Sequence, residues 1–166
     1  ATASVGAVWT STSPDFGSDS VLERFSQTEP KVLFAVGGYY YNGKPQPMQH
    51  KFEAVAAGLH TLTHCVRIDL YQADTADTCT IGTPFAEVLN SQPGGEVVFT
   101  RLKFNDPLFI LYSSGTTGRP KCIVHGVGGT LLQHLKEHQL HSDIGRDDRV
   151  FFYTTCGWMM WNWLAS

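Results

Sequence analysis

Short apolar runs alternate along the chain with longer segments in which apolar residues recur at helical spacing. The short runs predict β-strands at residues 5–12, 31–36, 65–71, 108–112, 122–125 and 149–155. The longer segments predict helices at residues 19–26, 46–59, 84–89, 130–141 and 158–164. Because strands that alternate with helices are typical of βαβ units, the pattern predicts an α/β fold with a mainly parallel sheet and flanking helices.

Residues 108–112 form the sharpest of the predicted strands. The run is continuously apolar, which is expected of a strand buried on both faces. We expect it to lie in one mainly parallel sheet with residues 149–155, and the small-residue loop at 113–121 to follow its C-terminal end. Near the start of the chain, Ser18 or Asp19 is expected to cap the first helix.

The composition is that of a globular protein and argues against several classes of function. Of the 166 residues, 42% are apolar and 16% are charged, which is enough to build the core of one ordinary domain. The net charge of −3, without any run of Lys or Arg, argues against a nucleic-acid partner. No stretch reaches the roughly 20 apolar residues of a membrane helix, and the first residues lack the pattern of a secretory leader.

The cysteines are widely spaced and form no CxxC pair. They are Cys65, Cys79, Cys122 and Cys156. This spacing favours reduced, mostly buried thiols in a cytoplasmic protein.

The strongest chemical feature is a loop that directly follows the apolar run at 108–112. Gly115 and Gly118 let the backbone approach a ligand closely, and the hydroxyl and N–H groups around them can surround an anion. Lys121 adds a positive charge immediately after Pro120. These groups suit a polyphosphate such as the β and γ groups of ATP. In full the segment is Tyr112-Ser113-Ser114-Gly115-Thr116-Thr117-Gly118-Arg119-Pro120-Lys121.

Two other interpretations of this loop are disfavoured. A flexible surface loop would explain the Ser, Thr and Gly residues, but not the ordered Pro120-Lys121 pair after the second glycine. The P-loop of kinases and GTPases requires four residues between its glycines and then a Gly-Lys pair, whereas only two residues separate Gly115 from Gly118.

The loop is similar to the phosphate-binding signature of the adenylate-forming superfamily, Ser/Thr-Ser-Gly-Thr-Thr-Gly-x-Pro-Lys. That superfamily includes acyl-CoA synthetases, luciferases and the adenylation domains of peptide synthetases. Four flanking segments resemble its acetoacetate-activating branch, at residues 9–17, 31–34, 128–138 and 154–163. The resemblance spans essentially the whole chain and is weakest between Asp69 and Leu102. The chain departs from the superfamily at Cys122, where Gly is usual, and a Met pair replaces smaller residues of acetyl-CoA synthetases.

The resemblance implies two sets of site residues and assigns no catalytic residue and no protein metal ligand in this segment. Trp158, Met159 and Met160 match the place where short-chain relatives line the acyl pocket. Met side chains adapt to irregular cavities, so the identity of the acid stays open between acetoacetate and a similar short-chain carboxylate. The residues that would hold the ATP phosphates are Ser113, Ser114, Gly115, Thr116, Thr117, Gly118 and Lys121.

The resemblance also implies the activity of an acid–CoA ligase in fatty acid and lipid metabolism. Its substrates would include ATP and CoA, and its metal ion would be Mg²⁺. The chain is then expected to be part of a larger AMP-binding N-terminal domain. About residues 1–106 would form a first βαβ portion, and about residues 107–166 the phosphate-loop portion. The adenine and ribose motifs and a C-terminal domain with an essential lysine would come from the remainder of the protein's chain. The segment is therefore expected to be inactive alone.

Other classes of function remain as alternatives. The segment could be a nucleotide-binding module without catalysis. His134, Glu137 and His138 also fit the H-x-x-E-H pattern of a zinc hydrolase, with His141 near the same stripe, although a solvated helix flank explains these histidines equally well. His125 could approach the nucleotide or simply end the strand at 122–125.

Overall fold

The computed structural model of the protein describes residues 1–70, 79–92, 94–114 and 118–166. The chain falls into two compact units. The first unit combines residues 1–13 with 96–166, and the second unit is formed by residues 14–95. In chain order the strands and helices are β1 (Trp9–Thr10), α1 (Ser18–Phe25), β2 (Val32–Val36), β3 (Gly38–Tyr41), β4 (Lys44–Pro47), α2 (Gln49–Gly58), β5 (His64–Ile68), β6 (Thr83–Pro84), α3 (Phe85–Asn90), β7 (Pro107–Tyr112), β8 (Cys122–Gly126), α4 (Val127–Lys136) and α5 (Met159–Ala165).

The second unit contains a parallel sheet of β2, β5 and β6, in the order β2-β5-β6. Helices α1 and α2 pack closely enough that a Cβ at Gly58 would lie 2.7 Å from the Leu22 side chain. A helix was predicted at 46–59, but residues 46 and 47 belong to β4 of the antiparallel β3–β4 hairpin. Helix α2 therefore begins only at Gln49. The core of this unit contains Val21, Phe25, Leu33, Met48, Phe52, Val55, Leu59, Val66 and Cys79.

The first unit is built on a mixed sheet in the order β1-β7-β8. β1 runs parallel to β7, and β8 runs antiparallel to it. The strand predicted at 108–112 is confirmed, but its side chains alternate. Phe109 and Leu111 are buried, while their neighbours are partly exposed. Within this chain, β7 is therefore buried on one face only.

Residues 149–155 do not form the predicted strand. They pair with no strand among the described residues, and Phe151 and Tyr153 are 87% and 83% exposed. A strand exists only through hydrogen bonds to a neighbouring strand, so an apolar run without such a neighbour stays irregular. The prediction that this run joins β7 in one sheet was wrong.

The strand predicted at 5–12 is also shorter than its apolar pattern, because a turn interrupts it. Residues Ala3–Val5 form a single 3₁₀ turn, which ends at Gly6 with a φ of 73°. That left-handed conformation suits glycine and reverses the chain. Only Trp9–Thr10 then pairs with β7.

The predicted helices are present, with shifted boundaries. α1 has Gly17 as its N-cap, and not Ser18 or Asp19. α4 begins at Val127, before the predicted residue 130, because the N–H groups of Val127 and Gly128 donate to the carbonyls of Asp106 and Phe104. After Lys136 the helix continues as a π-helical turn over Glu137–His141.

The α/β class is confirmed by these elements, with parallel and antiparallel strand pairs both present. Within the described ranges, no helix is both long and apolar enough to cross a lipid bilayer. No disulfide joins the cysteines, which all lie within the described residues, but only Cys79 is buried, so the expectation of mostly buried thiols was wrong.

Candidate phosphate and acyl site

The segment with the predicted phosphate contacts, residues 113–121, connects β7 to β8. Its two ends are tied together across the hairpin. The Ser113 N–H donates to the Lys121 carbonyl at 2.9 Å, and the Lys121 N–H donates to Ser113 Oγ at 3.0 Å. Tyr112 and Cys122 form the adjacent pair of the ladder. The segment thus follows the C-terminal end of β7, as the sequence predicts, and closes on itself.

Not every predicted phosphate-binding residue can be placed. Gly115, Thr116 and Thr117 lie outside the described residues, so their role remains a prediction. Gly118 is exposed and has a φ of 151°, and a Cβ there would meet none of the described atoms within 4 Å. Ser114 and Lys121 are also exposed. The described part of the loop therefore offers accessible backbone, a hydroxyl group and an ammonium group.

These groups suit one kind of chemistry. Backbone N–H groups and hydroxyls can donate to phosphate oxygens, and a lysine ammonium supplies a compact positive charge to the same oxygens. Apart from its glycines and Pro120, the side chains of this segment are hydroxyl groups and cations. Such groups can position an anion and offset its charge.

The predicted acyl-pocket residues lie at the start of α5, with Trp158 as its N-cap. Trp158 and Met159 are exposed, and Met160 is half-buried. By contrast, Asn162 and Trp163 are only 7% and 9% exposed. α5 therefore packs one face into the first unit and presents the residues predicted for the acyl pocket at its beginning.

Residues 9–12, called the N-terminal segment below, contact the start of α5 and the turn before it. Ser11 Oγ donates to the Cys156 carbonyl at 2.5 Å, and Cys156 Sγ lies 3.1 Å from the Thr12 carbonyl. The Trp161 ring stacks on Trp9, with centroids 6.1 Å apart. Sequence reasoning did not find these contacts, because their partners lie about 145 positions apart and leave no local pattern.

A second link joins the N-terminal segment to the strand that leads into the loop. Thr10 Oγ1 donates to the Ile110 carbonyl at 2.9 Å and lies 2.9 Å from Tyr112 Oη. Tyr112 directly precedes the loop. The N-terminal segment therefore contacts both the strand before the loop and the turn before α5.

Two histidines hold the second half of α5. His138 Nε2 donates to the Trp163 carbonyl at 2.9 Å, and its ring meets the Trp163 ring edge-on at 4.5 Å. The Ser166 hydroxyl also donates to the Trp163 carbonyl, at 3.2 Å, and His134 Nδ1 lies 2.5 Å from Ser166 Oγ. Partial burial lowers the pKa of His134, and the nearby His138 lowers it further.

His134 and His138 therefore act neither as predicted zinc ligands nor as a solvated helix flank. Their ring nitrogens bond to the end of α5. Within the described ranges, no three His, Cys, Asp or Glu side chains gather as metal ligands. The zinc hydrolase alternative therefore has no support. His125 stacks on Phe109 at 4.7 Å, and its Nδ1 lies 3.3 Å from the Ile123 carbonyl, so its contacts are those of packing on the sheet.

A loop suited to phosphate at the end of a sheet strand, in one unit with an anchored apolar helix, is typical of a nucleotide-binding α/β domain. The sequence profile of the family described as AMP-binding enzyme matches residues 1–164. The chain belongs to this family.

Individual relatives indicate which members of the family the chain resembles. The chain is 54% identical over 166 residues to acetoacetyl-coenzyme A synthetase of Rhizobium meliloti (strain 1021), covering 100% of this chain and 26% of that protein. It is 48% identical over 172 residues to acetoacetyl-CoA synthetase of Gallus gallus, with the same coverage of both chains. The solved structure of acetoacetyl-CoA synthetase from Streptomyces lividans matches 98% of this chain and 24% of its own, with a TM-score of 0.88 and 45% identity.

These comparisons confirm the resemblance to the adenylate-forming superfamily and to its acetoacetate-activating branch. They also confirm that the α/β fold is part of a larger one, since the chain spans about a quarter of the length of the relatives it matches. The site residues are not tested by them and remain predictions.

Proposed function

We propose that this chain is part of an ATP-dependent acid–CoA ligase that activates acetoacetate as an acyl-adenylate. The observation that carries the proposal is the 54% identity to an acetoacetyl-CoA synthetase, which extends over the whole chain. The likeness thus includes both the loop at 113–121 and the start of α5. Acetoacetate is favoured over other short-chain acids because the named relatives are acetoacetyl-CoA synthetases.

The reaction has two steps. A carboxylate oxygen of the acid attacks the α-phosphorus of ATP, and the bond to the bridging oxygen breaks as pyrophosphate leaves. The CoA thiolate then attacks the acyl carbonyl, the bond to the AMP oxygen breaks, and AMP leaves. ATP enters as its Mg²⁺ complex, because Mg²⁺ is commonly bound through substrate phosphates.

In this proposal the loop serves the first step. The residues that hold the β and γ phosphates are Ser113, Ser114, Gly115, Thr116, Thr117, Gly118 and Lys121. Trp158, Met159 and Met160 line the acyl pocket. Both groups act by holding reactants in line and by offsetting charge, contributions that require no proton transfer by these residues.

The remaining proposals concern what surrounds this chain. Its partners are ATP, the acid, CoA and the remainder of its own chain, which supplies the adenine, ribose and C-terminal lysine contacts. Residues 107–166 form the phosphate-loop portion of the AMP-binding domain, and residues 1–106 its first portion. The protein is cytoplasmic. Residues 1–166 alone catalyse no adenylation, because only part of the near-attack geometry is present in them.

The test is acetoacetate-dependent exchange of pyrophosphate into ATP by the full-length protein. Parallel reactions contain acetate or no acid. Exchange that depends on acetoacetate, with a higher kcat/KM than for acetate, supports the proposal. Preference for acetate would overturn the choice of acid. ATP binding without exchange for any acid would instead favour a nucleotide-binding module.

A further inference from the structure

The end of α5 is bonded by two histidines of the preceding helix, His134 and His138. The Trp163 carbonyl accepts from His138 Nε2 at 2.9 Å and from the Ser166 hydroxyl at 3.2 Å. The hydroxyl proton is used in that bond, so His134 Nδ1, 2.5 Å away, donates to Ser166 Oγ. Both histidines thus donate a ring N–H, His138 to the α5 backbone and His134 to Ser166, the residue that caps α5.

The histidines also pack as a layer of rings beneath α5. The His134 and His138 ring centroids are 6.1 Å apart, and the Phe109 ring of β7 stacks 6.5 Å from His134. His138 in turn meets the buried Trp163 ring edge-on. Through these rings, α5 is connected to β7, the strand that leads into the loop.

The backbone of the supporting helix changes where these contacts form. His134 lies in the α-helical part of α4, and His138 lies in the π-helical turn Glu137–His141. π-Helical turns are rare and occur often at functional sites, where the extra residue redirects a side chain. Here the turn carries the residue that bonds the α5 backbone.

We propose that His138, supported by His134, is a positioning residue that fixes α5 and thereby holds Met159 and Met160 in place in the acyl pocket. The proposal rests on the proposed function, which assigns those methionines to the acid. His138 touches neither the acid nor ATP in this assignment. It acts through the Trp163 carbonyl, which lies about one turn of α5 beyond Met159 and Met160.

The physical reason is that a short helix is held by few contacts. α5 has seven residues, so loss of a bond near one end lets it shift or rotate about its anchor near Cys156. A displacement of about 1 Å in a group that positions a substrate can change rates about a hundredfold. The effect should fall on the acid and not on ATP, because the loop is closed by its own contacts.

The experiment uses the full-length protein with His138→Phe, which keeps a ring but removes the donor, and His138→Gln, which restores a donor near the Nε2 position. His141→Phe is the matched control, because His141 is exposed in the same π-helical turn. Initial rates give KM and kcat for acetoacetate and for ATP. Hydrogen exchange measured by mass spectrometry reports the protection of amides in α5.

For His138→Phe we expect about a tenfold rise in the KM for acetoacetate, a KM for ATP within about twofold of wild type, and faster exchange in α5. His138→Gln should recover the acetoacetate KM to within about threefold, and His141→Phe should match wild type. Unchanged exchange in α5 for His138→Phe would overturn the proposal. So would equal rises in both KM values, or a His138→Gln variant as impaired as His138→Phe.

The two proposals can fail separately. If wild-type protein shows no acetoacetate-dependent exchange of pyrophosphate but His138→Phe still loosens α5, the proposed function fails and the positioning of α5 stands. If wild-type protein is active but neither α5 protection nor the acetoacetate KM responds, the positioning role fails and the proposed function stands.

Discussion

The loop at 113–121 and helix α5 belong to the same unit but are held in opposite ways. Ser113 and Lys121, eight positions apart, close the loop with bonds across its own hairpin. α5 is held by residues that are distant in sequence. Ser11 is 145 positions from Cys156, and His138 is 25 positions from Trp163.

This difference separates chemistry from positioning. The ends of the loop are joined by the backbone groups of Lys121 and the N–H and Oγ of Ser113, so a change of the Lys121 side chain should alter mainly charge and hydrogen bonding at the ligand. A helix held from several distant segments depends on all of them, so substitutions far from the pocket should reach it.

The largest effect is expected at the loop, from Lys121→Ala in the full-length protein. The variant removes the ammonium group but keeps the Lys121 N–H bond to Ser113 Oγ, so the loop stays closed. Loss of a group that offsets charge developing on phosphate typically costs about 10²- to 10³-fold in rate. We expect acetoacetate-dependent pyrophosphate exchange to fall about 10²-fold, with an unchanged melting temperature.

The control for this variant is Lys136→Ala, which removes an exposed ammonium group from α4. Its exchange rate should match that of wild type. An equal loss in both variants would point to net charge, and no loss in Lys121→Ala would remove Lys121 from the phosphate site.

A smaller effect is expected at the acyl pocket, from Met160→Ala. Met160 is half-buried at the start of α5. If it lines the acyl pocket as proposed, its truncation removes contacts that a longer acid would use. One or a few methylene-sized contacts change discrimination by roughly 10- to 200-fold. We expect the ratio of kcat/KM for acetoacetate to that for acetate to fall about tenfold.

Met160→Leu is the matched control, because it keeps most of the volume of the side chain. It should retain the wild-type ratio to within about threefold. If both variants left the ratio unchanged, Met160 would not line the acyl pocket.

The same contrast explains what could be predicted from sequence. The position of the loop was predictable because an apolar run before it predicts a strand, and its phosphate-binding role stays a prediction drawn from consecutive residues, Ser113 to Lys121. The contacts that anchor α5 were not predictable. His134 and His138 suggested a metal site or a solvated flank, and nothing local indicates that they bond to Trp163 and Ser166.

Strands show a related limit. An apolar run predicts extended chain, but whether it becomes a strand depends on a partner that the run itself does not specify. Residues 108–112 have partners in β1 and β8. Residues 149–155 also contain an apolar run, Val150 to Tyr153, but have no partner within the described ranges. For the same reason the pattern could not predict that β8 runs antiparallel to β7.

A moderate loss of stability is expected from Gly128→Ala, in the helix that carries both histidines. A Cβ at Gly128 would lie 2.1 Å from the Phe104 ring, so the ring must move. Overpacking of this kind typically costs about 1–3 kcal/mol, which outweighs the roughly 0.5–1 kcal/mol that alanine gains over glycine in a helix, so a net loss on the order of 1 kcal/mol is expected. The measurement is the urea midpoint of unfolding.

The chain offers a close control at the next position. A Cβ at Gly129 would meet none of the described atoms within 4 Å. Alanine is favoured over glycine within a helix by roughly 0.5–1 kcal/mol, so Gly129→Ala should raise the midpoint. Equal effects of the two substitutions would show that helix propensity, and not contact with Phe104, decides stability at this end of α4.

The smallest effect is expected from lowering the pH, which protonates His134 beside α5. Partial burial lowers the pKa of His134 below its ordinary value of 6.5, and His138 and His125 lower it further, while Glu137 opposes them. Between the lowered pKa and 6.5, the unfolded chain binds a proton that the folded chain does not. Folding stability from this group is therefore complete above about pH 6.5 and declines as the pH falls through the folded-state pKa. Because His134 is only half-buried, the effect on melting temperature should be on the order of 1–2 °C.

The measurement compares wild type with His134→Gln, which keeps a polar side chain without a titrating group, from about pH 7.5 to about pH 5. Wild type should lose stability relative to the variant on acidification, and His141→Gln, altered at an exposed position, should follow wild type. A difference that stays constant with pH, or a wild type that gains stability in acid, would show that burial does not oppose protonation of His134 in the folded protein.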